Sequence, residues 1–177
     1  WPTLTATCKS SSPWCDDTPA SPSLMSEVRE TTVVVIWDFD WSMVNENSDT
    51  FVLESLDPKG GIWEKARAKR KSGGWTALMN WCLGELHAKA SCTPAQIKEV
   101  MARLPVLDGA MQAIAAAKAA GAEQRILSDA NDVYIAAFLE ARRLGPETVR
   151  EVVTNPATFE PSGRLSVRPH QPRDAPH

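Results

Sequence analysis

The hydrophobic and polar positions of the chain alternate between strand-like and helix-like segments. The strongest strand signal is "VVVIW" at 33–37, an unbroken run of mostly β-branched apolar residues. Because it shows no alternation, both of its faces are expected to be covered, as in a parallel sheet. Strands are also predicted for "EQRILS" and "REVVTN", and a small hairpin for "ATFEPSGRLSVRP" with its turn at Pro161, Ser162 and Gly163.

Apolar residues at helical spacing predict the segments that separate these strands. Helices are predicted for 45–56, 75–90, 94–104, 108–120 and 131–144. Thr93 is expected to cap the third of them and Pro94 to occupy its first turn, while Gly121 is expected to end the fourth. The polar, Gly-containing stretch 57–74 is predicted to be a connection. The inner face of the last helix is assigned to Val133, Ile135, Ala136, Phe138 and Leu139.

Strands that alternate with helices predict an α/β fold with a Rossmann-like parallel sheet. Its core is assigned to 31–59 and 105–169, with a small helical cap at 60–104 inserted after the first strand–helix unit. The first 30 residues are rich in Ser, Thr and Pro and are expected to form a disordered leader. Residues 170–177 are expected to form a disordered tail.

Composition and charge narrow the functional classes. The 177 residues suit one domain, and a formal charge of −3 without a dominant basic face argues against nucleic-acid binding. No apolar run approaches the ~20 residues that span a bilayer. The four cysteines match no metal or redox spacing and are expected to be free thiols, which suggests a reducing, cytoplasmic location. The three histidines lack partners at metal-ligand spacing.

Candidate chemistry lies where two strands end. Asp38 and Asp40 follow the first strand, and Ser128 ends the second. Ligands of open α/β sheets bind at the carboxyl ends of the strands. Two nearby carboxylates repel unless a divalent cation lies between them or one holds a proton. The alternatives are a strand that ends in Asp at a turn and a hydroxyl that only caps a helix; the two strand ends together favour a site.

These motifs resemble a known superfamily. "VVVIWDFDWSMVNENSDTFV" is similar to the first motif, D-x-D-x-[ST], of haloacid dehalogenases, and "RILSDANDVYIAAFL" to the second. A closer resemblance, to the phosphoethanolamine/phosphocholine phosphatase-like family, rests on three further features. They are the pairing of "NSDTFV" with "SDAN", the stretch "WTALMNWCLGELHAKASCTPAQIKEVMARLPV", and "VVTNPATFEPSGRLSVRP". The likeness runs from about residue 33 to 169.

The resemblance implies a Mg²⁺-dependent phosphatase of small phosphomonoesters. Asp38 would be the nucleophile that forms an aspartyl-phosphate, and Asp40 would be the general acid and base. Mg²⁺ would bind the Asp38 carboxylate and the backbone carbonyl of Asp40. Ser42 would support the loop, and Ser128 would hydrogen-bond the phosphoryl group.

The same resemblance implies which residues bind the part of the substrate that is not the phosphate. Asp49 and Asp129 would face the ammonium group of a small phosphorylated amine, and Asn131 is counted with the substrate-binding residues. Glu46 is interpreted as a first-turn acid favoured by the helix dipole. The residues do not choose between phosphoethanolamine, phosphocholine, pyridoxal phosphate and pyrophosphate, nor do they fix the oligomeric state.

The chain also departs from the family pattern. No lysine follows Lys118, and no acidic motif of the G-D-G-x-x-D kind follows Pro169. The chain is therefore interpreted as truncated, its turnover is expected to be impaired, and its first strand is expected to have a bare edge. Trp41 stands where many relatives carry a basic or small residue. The alternative function is that of a catalytically inactive relative that binds a small ligand or a protein partner.

Overall fold

The computed structural model of the chain describes residues 32–69 and 74–171. Within these ranges it contains β1 (Val34–Trp37), α1 (Ser48–Leu56), α2 (Gly61–Lys69), α3 (Trp75–Ala90), α4 (Pro94–Ala102), α5 (Asp108–Ala119), β2 (Glu123–Asn131), α6 (Asp132–Ala141), β3 (Glu151–Asn155), β4 (Ala157–Phe159) and β5 (Leu165–Val167). The predicted leader lies outside the described residues, as does the predicted tail beyond Gln171.

Three parallel strands form the main sheet, in the order β1-β2-β3. Trp37 pairs with Ile126, which in turn pairs with Val152, so the strands run side by side with their carboxyl ends at one edge. The predicted α/β class is therefore confirmed. The predicted hairpin is also present, because β4 pairs antiparallel with β5.

One face of this sheet is covered and the other is open. On the covered face, the Gln124 side chain accepts from Trp37 Nε1 and donates to the carbonyl oxygen of Ile114 in α5. On the opposite face, Val34, Ile36 and Leu127 are 47%, 62% and 56% exposed. The expectation that both faces of the first strand are covered is wrong within the described residues. An unbroken apolar run allows burial on two sides but does not supply the second layer.

The predicted connection 57–74 is also wrong in part, because α2 lies within it. Ile62 and Ala66 are buried one helical turn apart, which anchors α2 although four of its nine residues are charged. α2 packs on α3, and Asn80 of α3 is bonded to the hairpin by the backbone N–H of Val167, at 3.0 Å. The division into core and cap stays a prediction.

Several element ends differ from the sequence-based bounds. β2 continues three residues beyond Ser128, and α6 begins at Asp132 with Asn131 as its N-cap. Ala136, assigned to the inner face of that helix, is exposed, while Tyr134 and Ala137 are buried. Within the described ranges, no helix is both long and apolar enough to cross a bilayer. The described thiols, those of Cys82 and Cys92, are buried and form no disulfide.

Candidate active site

Asp38 is the first residue after β1, and its carboxylate is exposed at the sheet edge. Its Oδ1 accepts from the backbone N–H of Phe39 at 2.7 Å, and its Oδ2 accepts from Ser42 Oγ at 3.3 Å. Phe39 is fully buried and packs edge-on against Phe138, with 5.2 Å between ring centroids. This buried ring fixes the backbone from which Asp38 projects outward. Ser42 therefore contacts the predicted nucleophile, as the loop-supporting role requires.

The chain turns sharply after Phe39 and does not stay extended. The backbone N–H groups of Ser42, Met43 and Val44 donate to the Phe39 carbonyl oxygen, and Trp41 adopts a left-handed φ of 59°. A non-glycine residue in that region stores local strain, which clusters at functional sites. The turn sets the direction in which the Asp40 side chain leaves the loop, so Asp40 does not continue the extended line of β1.

Asp40 instead lies against the N-terminus of α1. Its Oδ1 accepts from the backbone N–H of Ser48 at 3.0 Å, and its Oδ2 accepts from Asn47 Nδ2 at 2.9 Å. Burial raises the pKa of Asp40 to about 6; the bond from Ser48 opposes this rise, and the charges of Asp129 and Asp38 add to it. A carboxyl that exchanges its proton near neutral pH is suited to general acid–base work.

Asp49, in the first turn of α1, is a buried carboxyl only 6% exposed. Its Oδ2 accepts from Nε1 of Trp75, the first residue of α3, at 2.7 Å. Burial raises the pKa of Asp49 to about 7, the bond from Trp75 opposes this rise, and the charges of Asp40 and Asp129 add to it. A buried acid whose pKa is raised beside other acids marks a candidate functional site.

The end of β2 supplies the second group of polar residues. Ser128 Oγ accepts from the backbone N–H of Ala130 at 3.2 Å, and the Asn131 side chain caps α6 by accepting from the Tyr134 N–H. The predicted substrate-binding Asn131 thus serves as a helix cap, although its buried Nδ2 has no hydrogen-bond partner among the described residues. Asp129 is exposed.

A cavity of about 590 Å³ opens at the carboxyl ends of the three strands. Of the predicted residues, Asp38, Ser128 and Asp129 line it. The remaining predicted residues, Asp40, Ser42, Asp49 and Asn131, do not line it.

Residues at the end of β3 also line the cavity, and sequence reasoning missed them. They are Thr154 and Asn155, with His170 from the segment after β5. Asn155 Nδ2 donates to the Asp129 carbonyl oxygen at 2.6 Å, and its Oδ1 accepts from the backbone N–H of His170 at 2.9 Å. The signal was available in "VVTN", because polar residues end a third parallel strand as they end the first two.

The described residues offer Mg²⁺ few protein donors, which is usual for an ion that keeps several waters and binds through one or two carboxylates plus substrate phosphates. Oxygen ligands suit the ion, and the Asp38 carboxylate is exposed toward the cavity. The described ranges contain no group of three His, Cys, Asp or Glu residues placed to hold a metal. Asp38 with the Asp40 carbonyl would therefore leave most of an octahedral shell to water and phosphate oxygens.

Comparison with known proteins gives consistent matches. A sequence model of the family described as "Putative Phosphatase" matches residues 33–176. "Inorganic pyrophosphatase 2" of Arabidopsis thaliana is 33% identical over 142 residues, which cover 80% of this chain and 49% of that protein. "Pyridoxal phosphate phosphatase PHOSPHO2" of Rattus norvegicus is 29% identical over 140 residues, which cover 77% of this chain and 56% of that protein. The chain spans about half the length of the curated relatives it matches.

Solved structures share the fold at low identity. A HAD family hydrolase of Salmonella enterica serovar Typhi superposes with a TM-score of 0.58 at 18% identity, over 77% of this chain and 45% of that one. A phosphoserine phosphatase with a phospho-aspartyl intermediate analogue superposes with a TM-score of 0.55 at 14% identity, over 78% of this chain and 64% of that one. The parallel sheet with its inserted helices is thus an architecture that known hydrolases also have.

Proposed function

Because the chain belongs to the family described as "Putative Phosphatase" and has the fold of HAD hydrolases, we propose that it takes part in hydrolysis of small phosphomonoesters through an aspartyl-phosphate. The observation that carries this proposal is the cavity shared by Asp38 and Ser128. One residue supplies a carboxylate at the end of β1, and the other supplies a hydroxyl at the end of the adjacent β2. A carboxylate can serve as the nucleophile that accepts a phosphoryl group, and a hydroxyl can hydrogen-bond a phosphoryl oxygen.

In the first step an oxygen of Asp38 attacks phosphorus, and the bond from phosphorus to the ester oxygen breaks. The departing alkoxide takes a proton from Asp40, whose raised pKa of about 6 supports a role as acid near neutral pH. In the second step water attacks phosphorus and gives a proton to Asp40. The phosphorus–Asp38 bond breaks, so that inorganic phosphate leaves and the carboxylate is restored.

Ser128 supports binding of the phosphoryl group. Its Oγ accepts from the Ala130 N–H, which leaves the hydroxyl proton to donate to a phosphoryl oxygen. When bound by the Asp38 carboxylate and the Asp40 carbonyl, Mg²⁺ would offset the repulsion between Asp38 and the phosphate. Among the described residues, no lysine or arginine lines the cavity. From these residues alone we expect slow turnover, because none of them places a Lys or Arg side chain beside the charge that develops on the phosphoryl oxygens.

A small phosphorylated amine is the substrate class that we propose. Asp129 lines the cavity, and Asp49 lies close enough for the two carboxylates to raise each other's electrostatic energy. An ammonium group placed between them would relieve this repulsion at ~1 kcal/mol per carboxylate in a wet site, and more in a dry one. Phosphoethanolamine and phosphocholine satisfy this requirement, whereas pyrophosphate does not.

The test is phosphate release from phosphoethanolamine and p-nitrophenyl phosphate, with Mg²⁺ and with EDTA. Asp38→Asn should reduce release to the level of the buffer blank, while Asp108→Asn, at the start of α5 and outside the cavity lining, should retain it. Acid-quenched protein should carry phosphate that hydroxylamine removes. Full activity in Asp38→Asn contradicts the mechanism, and binding of phosphoethanolamine without any release favours the inactive-relative alternative.

A further inference from the structure

The hydrogen bond between Asp49 and Trp75 joins α1 to α3 across 26 residues of sequence. The acceptor belongs to a carboxylate that is almost fully buried, and the donor is the first residue of α3. Loss of the donor would leave a buried carboxylate without this contact, which is much more damaging than the loss of a surface bond. The orientation of Asp49 therefore depends on an element outside its own helix.

Trp75 is itself held by aromatic packing. Its ring lies edge-on to Trp63 of α2, with 6.2 Å between the centroids, and the Arg67 guanidinium lies 5.6 Å from the centre of the Trp63 ring. Edge-to-face pairs fix the relative angle of two rings. The indole N–H is thus presented to Asp49 from a packed position.

The choice of an indole as the partner matters for charge. Asp49 is exposed to the negative charges of Asp40, after β1, and Asp129, at the end of β2. Two uncharged groups also lie near it: the Cys82 thiol of α3 and the Tyr134 phenol of α6. A lysine or arginine partner would neutralise the carboxylate. Indole is a neutral group that can only donate, so it orients Asp49 without adding a positive charge of its own.

We propose that Trp75 is a positioning residue that orients the Asp49 carboxylate toward a substrate ammonium group. Through this bond, α3 contributes to discrimination between phosphomonoesters that carry a cation and those that do not. The inference rests on the proposed function, because it presupposes an amine-bearing substrate.

The test compares Trp75→Phe, which keeps an aromatic ring but removes the N–H, with Trp81→Phe on the same helix. The readout is the ratio of kcat/KM for phosphoethanolamine to kcat/KM for p-nitrophenyl phosphate. Trp75→Phe should lower this ratio about tenfold, as expected for a hydrogen bond to a charged group, and Trp81→Phe should leave it unchanged. Asp49→Asn added to Trp75→Phe should lower it little further. Equal losses for both substrates in Trp75→Phe would mean a merely structural role and would overturn the proposal.

A second measurement is independent of turnover. In ¹⁵N-labelled protein, the indole N–H signal that disappears in Trp75→Phe should shift in Asp49→Asn, while the indole signal lost in Trp81→Phe should stay in place. An unmoved Trp75 signal overturns the proposal. If neither substrate is hydrolysed, the proposed function fails. The ratio is then taken from the dissociation constants of phosphoethanolamine and inorganic phosphate, and an unchanged ratio in Trp75→Phe overturns the inference.

Discussion

The buried carboxyl of Asp49 should destabilise the fold whenever it is ionised. Its pKa rises from the usual 3.8 to about 7, mainly because burial disfavours the charged form. The folded state therefore binds this proton more tightly than the unfolded chain does. The stability associated with it is fully present below about pH 4, is lost as pH rises from about 4 to about 7, and stays lost above that. A shift of about 3 pH units at 1.36 kcal/mol each corresponds to roughly 4 kcal/mol.

Asp49→Asn removes the charge and keeps the size and an oxygen that can accept from Trp75. We expect the free energy of unfolding at pH 8 to rise by roughly 2–4 kcal/mol, with the lower figure allowing for an amide N–H group that lacks a partner. At pH 4 the change should be within about 1 kcal/mol, because the wild-type carboxyl is then protonated in the fold. Urea unfolding in EDTA at both pH values measures this, with the exposed Glu54→Gln of the same helix as the control.

Two outcomes would refute this reasoning. A variant no more stable than the wild type at pH 8 would show that ionised Asp49 is compensated, and an equal gain at both pH values would show that packing rather than charge is responsible. The control should change by less than about 0.5 kcal/mol at either pH. A confirmed gain would identify Asp49 as a residue that lowers stability, which is common for residues retained for function.

Two further predictions concern the fold. Ile36→Thr should change the free energy of unfolding by less than about 0.5 kcal/mol because Ile36 is 62% exposed. Ile126→Val, at a fully buried position, should lower the free energy of unfolding by about 1 kcal/mol. Equal losses in urea unfolding would mean that both sheet faces are covered in solution. Arg142→Met should lower the free energy of unfolding by about 2 kcal/mol, because the Arg142 guanidinium donates to the carbonyl oxygens of Ala102 and Leu104 at 2.9 and 2.8 Å. An unchanged melting temperature in calorimetry would contradict the importance of these hydrogen bonds.

Elements governed by local chemistry could be predicted from the sequence. Thr93 caps α4 by accepting from the Gln96 N–H, and Pro94 occupies the first turn. Gly121, at a φ of 72°, ends α5 because glycine tolerates the left-handed conformation. Each of these signals acts over a few residues, so the printed sequence contains all the information that is needed.

Features that depend on distant residues could not be predicted in the same way. The charged surface of α2 concealed a helix, because Ile62 and Ala66 are its only two buried residues. The turn at Trp41 redirects Asp40 toward α1, and no spacing rule between Asp38 and Asp40 reports such a turn. The bond from Trp75 to Asp49 spans two helices, so neither residue's neighbours in sequence reveal it.

Two acids of the candidate site, Asp40 and Asp49, ionise less readily than free carboxyls. Burial is the main reason that their pKa values are raised; the charges of Asp129 and Asp38 add to the rise for Asp40, and those of Asp40 and Asp129 add to the rise for Asp49. Positive charge placed nearby would favour the ionised form of both carboxyls. The proposed function supplies two such cations: a divalent ion at Asp38 and Asp40, and an ammonium group at Asp49 and Asp129. A phosphorylated amine bound with Mg²⁺ would supply both positive charges together.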